Sequence, residues 1–312
     1  MYKRQVKIYV KRKYPALDFY AEPNEGALKQ KNAALLHQVV GIIVNNTDTT
    51  VLTICLGAKS LLEVSVYGIY MMVVNAVNQL MTSFSNGLTA GFGEVIAKNE
   101  EETLKKSYSS YEYMYFVIMF IVIACMGVLI LPFVGVYTIN LTDVQYVRPV
   151  LGILFTLIVF MQNVRIPGLT IICAAGHYKE TRYQAILEAV INITVSLGLV
   201  WKFGMAGVLL GTVCSYGYRS FEIVFYTSRH LVKGCAKKSM FRILRNVFTV
   251  AILCTVGTYV IPQEITSFTT WFLYAIGMGL TSVFLVVVIN YVVEPDEFMQ
   301  LRHRVNDIIK KE

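Results

Sequence analysis

Long apolar runs alternate with short polar, mostly basic stretches along the chain. A helix crosses a hydrocarbon core of roughly 30 Å with about 20 mostly apolar residues. Eight segments fit that requirement: 33–57, 61–88, 111–134, 149–175, 181–201, 204–228, 246–262 and 271–293. The seventh is short, so it either tilts little or begins inside the basic stretch before it. Residues 1–32 form a basic lead-in and 294–312 a tail. In 231–245, Leu231, Val232, Met240, Phe241 and Leu244 mix with Lys233, Lys237, Lys238, Arg242 and Arg245. That mixture predicts a basic helix on an anionic cytoplasmic surface. After Pro295, Phe298, Leu301, Val305, Ile308 and Ile309 recur at helical spacing, which predicts a tail helix packed on the protein or on the membrane surface.

Polar residues inside these runs follow helical faces. The first run is broken at its centre by Asn45, Asn46, Thr47 and Asp48. An Asp near mid-span costs roughly 2.5–3.5 kcal/mol, so Asp48 is expected to face protein or water. Asn75, Gln79, Thr82 and Asn86 recur at steps of three and four in the second run. Gln184, Glu188, Asn192 and Ser196 do so in the fifth, and Thr212, Ser215, Arg219 and Glu222 in the sixth. Residues so spaced share one face, and in lipid that face is expected to turn inward. The fourth run carries Gln162, Asn163, Arg165 and Pro167. Pro removes a backbone donor and crowds the preceding turn, predicting a kink beside a permanent cation. Arg165 either pairs with Asp48 or Glu188, or presents its guanidinium fork to an anionic substrate such as a phosphate. Arg219 either snorkels or pairs with Glu222. Lys59 and Glu63 read as solvated at the opposite interface. Gly207 and Gly211 follow a tight turn and form a small-xxx-small pair for close helix approach.

Composition agrees with the pattern. Only 15% of the 312 residues are charged, against about 25% in soluble domains, and mean hydropathy is +0.55. A net charge of +8 would suit nucleic acid if clustered on a soluble face. Instead the basic residues fall in the loops. With residues 1–31 inside, 23 of the 28 Lys and Arg lie on that side, and only Lys59, Arg148 and Lys202 lie opposite. This asymmetry predicts a multi-pass protein of the cytoplasmic membrane with both termini cytoplasmic and no nucleic-acid partner. The N-terminus is rich in Lys and Tyr, unlike a signal peptide. The six Cys lack CxxC spacing and read as small hydrophobes. The four His show no paired-ligand spacing, and no GxSxG, P-loop or dinucleotide motif occurs. No enzyme activity, cofactor or metal site is expected; binding and movement fit these residues better. A membrane glycosyl or acyl transferase would need an acid–base pair or acceptor-site His at a membrane face.

Several stretches, taken in order, resemble one family. They are Tyr14-Pro15, Asn46-Thr47-Asp48, Leu56-Gly57 with Val64 to Tyr67, and Asn86-Gly87-Leu88. The loop Gly176 to Arg182, Glu188 with Asn192, and Gly204 to Thr212 complete them. The chain is similar here to the polysaccharide exporters of the MATE-like superfamily, flippases for lipid-linked O-antigen, capsule or related oligosaccharide units. The resemblance implies an all-α integral membrane fold. Residues 33–230 would form the second six-helix lobe, 231–245 a basic interfacial segment, and 246–293 two additional helices. The first lobe would lie before Met1 or in a separate chain. It further implies translocation by alternating access, with lipid-linked oligosaccharide and membrane lipid as partners. Asn46, Asp48, Asn75, Gln79, Asn163, Arg165, Glu188, Asn192 and Arg219 would line the cavity. Among them, Arg165 would meet pyrophosphate, and Asp48 and Glu188 would be the coupling carboxylates. The alternatives within this fold are a cation-coupled multidrug exporter and a non-transporting half-transporter subunit.

Overall fold

The computed structural model describes residues 2–14, 30–86, 88–262 and 264–299. Among the described residues every regular element is helical. The elements are α1 (Tyr2–Lys13), α2 (Lys31–Cys55), α3 (Ser60–Ser85), α4 (Leu88–Ala97), α5 (Glu101–Tyr137), α6 (Pro149–Val164), α7 (Ile166–Ala174), α8 (Arg182–Phe203), α9 (Met205–His230), α10 (Ala236–Val260) and α11 (Phe268–Val293). Among the described residues, six stretches are long and apolar enough to cross a membrane: Gly57–Ala97, α5, Pro149–Ala174, α8, α10 and α11. The protein is therefore an all-α, multi-pass membrane protein.

Helices α2 and α9 have the predicted length, 25 and 26 residues, but fall outside that apolar set. The physical reason is their composition: Asn45 to Thr50 interrupt α2, while Arg219, Glu222 and Arg229 load α9. The tail beyond residue 299 and the Tyr14-Pro15 and Asn86-Gly87-Leu88 motifs lie wholly or partly outside the described residues.

Helix α5 is the hub, packing against α3, α4, α6, α7, α10 and α11. Its buried face carries Phe116, Met119, Phe120, Ile123 and Ala124. Helices α10 and α11 form an outer pair whose Phe248, Ile252, Val256, Phe272, Leu280 and Phe284 are exposed, as expected of a lipid-facing surface. The closest helix pair is α8 with α9. Gly204 turns the chain between them at φ +56, a region costly for other residues. A Cβ at Gly207 would collide with the Leu199 carbonyl, and one at Gly211 with Ser196. Between apolar helices in lipid, such close backbone approach and interhelical hydrogen bonds supply much of the association; Ser196 Oγ donates to the Val208 carbonyl at 3.2 Å.

Two features differ from the sequence expectations. Residues 236–245 are not a separate surface helix but the first turns of α10, and Arg242 is wholly buried there. Glu63 is not solvated: Arg148 grips it with two bonds of 2.8 and 3.0 Å, tying α3 to the start of α6.

Candidate functional site

The fourth predicted span breaks at Arg165, between α6 and α7, with Pro167 in the first turn of α7. Pro tolerates that position because the first-turn N–H has no helical partner in any case. The break sets the Arg165 side chain into a cavity of about 370 Å³ bounded by α2, α6, α7, α8 and α9. There its guanidinium lies 4.5 Å over the Tyr216 ring and bonds Glu188 through one terminal nitrogen, while its buried Nε has no partner. Arg219 approaches the other Glu188 oxygen with Nε at 3.5 Å and bonds Glu222 on its own helix. One carboxylate thus stands between two guanidiniums. Tyr216 donates to Asn45 Oδ1 at 3.1 Å, joining this group to α2.

At one end of the cavity, α2 is tethered to the 175–181 loop. His37 Nε2 lies 2.9 Å from the Tyr178 carbonyl and 3.3 Å from Thr181 Oγ1, and the Tyr178 N–H donates to Gln30.

Asp48 lies elsewhere. It is 4% exposed, and it accepts from Thr212 Oγ1 at 2.7 Å and Tyr67 OH at 3.3 Å. None of the ion pairs among the described residues reaches it. Asn192, fully buried, donates to Thr212 Oγ1 at 3.0 Å while its own Oδ1 has no partner. A buried carboxylate without a cation is costly, and hydroxyl donors offset only part of that cost.

The nine predicted site residues therefore divide. Arg165, Glu188 and Arg219 meet in the cavity, and Arg165 pairs with Glu188 rather than Asp48. Asp48 and Asn192 share the adjoining polar cluster. Asn163 does not line the cavity: it accepts from Tyr115 at 2.8 Å and donates to Asn78 at 3.0 Å, bracing α3, α5 and α6. Asn46, Asn75 and Gln79 also depart from expectation. They are exposed on the outer face of α2 and α3 with Thr50, Thr53, Ser65 and Ser83, because the apolar side of each helix takes the packing against α5, α6 and α8. Tyr216 and His37 line the cavity without having been singled out. Their signal was present: Tyr216 stands three residues from Arg219, and His37 eight from Asn45, each on a shared face.

A second polar centre joins α5, α10 and α11. Buried Arg242 reaches Glu112 at 3.0 Å, Glu294 at 3.0 Å and Glu297 at 3.4 Å, and lies 5.3 Å from the Tyr113 ring centre. Arg245 pairs with Glu294 at 3.1 Å, and Ser239 donates to Glu112 at 2.6 Å. These buried ion pairs and hydrogen bonds fasten the outer helix pair to the hub, although Arg245 Nε and the Tyr113 hydroxyl have no partner.

Compared with known protein families and with curated proteins, the chain matches none.

Proposed function

We propose that this chain is part of an exporter that flips lipid-linked oligosaccharide units across the cytoplasmic membrane by alternating access. The observation that carries the reading is the cavity at the α6–α7 break, where Arg165 and Arg219 share Glu188 and Arg165 keeps a buried N–H without an acceptor. A guanidinium with a spare donor suits a phosphate oxygen, since bidentate charge-assisted bonds are the strong ones. Intramembrane charges lining a cavity are a signature of a substrate or ion pathway. The resemblance to polysaccharide exporters supports the same class.

The outer face of α2 and α3 supports the second half of the proposal. Asn46, Thr50, Thr53, Asn75, Gln79 and Ser83 are uncharged, exposed and on helices of spanning length. Lipid is a poor neighbour for such a face. It forms one wall of a water-filled path for sugars, the other wall being a second helical lobe. Asp48 then serves as the coupling group, taking up a proton or small cation as the path changes side. A multidrug exporter of the same fold draws support from Asp48 alone, and two guanidiniums in the cavity are a less apt lining for a cationic drug.

Binding of a polyprenyl-pyrophosphate oligosaccharide to the purified protein tests the phosphate role. Arg165→Ala is expected to weaken it by about 1.5–3 kcal/mol, the worth of a hydrogen bond to a charged group, and Arg165→Lys by less. Unchanged affinity in Arg165→Ala would overturn the assignment.

A further inference from the structure

A second cavity, of about 460 Å³, opens between the first turns of α5 and the start of α10, at the end of the molecule that gathers the basic loops. We infer that it holds the phosphodiester headgroup of an anionic membrane lipid, gripped by Lys105, Lys106 and Lys238.

Helix α5 has 37 residues, about 55 Å at 1.5 Å per residue, well beyond the roughly 30 Å hydrocarbon core. Its apolar run begins near Tyr113, so the turn carrying Lys105 and Lys106 projects to headgroup level. Lysines between spanning helices at this depth suit anionic headgroups. Lys105, Lys106 and Lys238 line the cavity together with Glu102, Glu112 and Glu297, each of which has a partner of its own in Lys106, Arg242 and Ser109.

The charges at the mouth are available. Lys105 is exposed and takes part in no hydrogen bond or ion pair among the described residues. Lys106 pairs at 3.0 Å only with Glu102, which is 84% exposed, and such surface pairs hold weakly. Lys238 bonds Glu297 at 2.6 Å while itself 47% exposed. Lys238 also donates to Ser109 Oγ at 3.1 Å, and Glu297 accepts from Ser109 at 2.8 Å and shares Arg242 at 3.4 Å with Glu112 and Glu294, so Lys238 stays beside Glu297 while its remaining N–H groups face a phosphate. The Glu112 carboxylate at the floor is already matched by Arg242. Behind the lysines the lining turns apolar at Val232 and the Tyr108 ring, both buried, as a glycerolipid requires and a free phosphate does not.

The test uses the full chain in nanodiscs of equal phosphatidylglycerol and phosphatidylcholine, with retained lipid counted by mass spectrometry after detergent extraction. Lys105→Gln with Lys106→Gln and Lys238→Gln should lower retained phosphatidylglycerol about tenfold, while Lys98→Gln with Lys179→Gln should not change it. The single Lys105→Gln, on an exposed unpaired side chain, should give a smaller loss in the same direction without risk to folding. Equal loss in the control pair would mean diffuse attraction to the basic end. Retention unchanged in both pocket variants, or phosphatidylglycerol displaced by millimolar inorganic phosphate, would also overturn the inference.

Discussion

Glu188 is the residue on which the cavity depends. It lies against two guanidiniums, and each of those has at most one other carboxylate, Glu222 for Arg219. Removing one partner from a buried ionic group costs about 3–5 kcal/mol, because the remaining charges stay uncompensated. Glu188→Gln is therefore expected to lower the unfolding temperature sharply, and added pyrophosphate should restore part of the loss by binding the folded state. A melting curve with and without pyrophosphate checks both. Asp48→Asn preserves size and one of the two acceptor oxygens that meet Tyr67 and Thr212, but ends the charge change. It should leave folding intact and remove the pH or cation dependence of transport in proteoliposomes. Transport that keeps its pH and cation dependence in Asp48→Asn would remove Asp48 from the coupling role.

Among the elements, the outer pair α10–α11 is held to α5 by a polar joint beside buried apolar contacts such as Leu253, Met278 and Val286. Burial pushes the Glu297 carboxyl up, but the hydrogen bonds from Lys238 and Ser109 and the charges of Lys238 and Arg242 outweigh it and hold the group below its ordinary value. A carboxyl depressed on folding stabilises the folded state above its unfolded pKa of about 4.3, and that stability is lost as pH falls through the depressed value. The joint should thus loosen only in acid, below about pH 4, seen as rising proteolysis in the loop before α10. In Glu297→Gln this acid-dependent component should vanish. Much of this level was readable beforehand. The run lengths gave the rods, Pro167 gave the break beside Arg165, and Gly207 with Gly211 gave the tight hairpin. The joint was not readable, because Glu112, Arg242 and Glu294 are far apart in sequence and only the packing of three helices brings them together. A mixture of Lys, Arg and large apolar residues in 231–245 has the same composition whether it lies on a surface or buries one arginine.

For the assembled bundle, periodicity revealed which residues share a face but not what that face meets. In α8 and α9 the polar stripes turn inward, to the cavity at Glu188 and Arg219 and to the helix contacts at Asn192, Ser196 and Thr212, whereas in α3 Asn75 and Gln79 turn out. Both arrangements obey the same spacing. The difference arises because α3 gives its apolar side to α2, α5 and α6. An exposed amide face on a spanning helix suits water beside it, as the proposed path requires. The most direct measurement is thiol accessibility in intact cells. The native exposed Cys214 is replaced first, and Asn75→Cys and Gln79→Cys are then compared with Leu280→Cys and Phe284→Cys on α11 using a charged, membrane-impermeant maleimide. Labelling of the two α3 positions with protection of the two α11 positions is the predicted result. Protection of all four would place the α3 stripe in lipid or in a dry contact, and would contradict a water-filled path along this face.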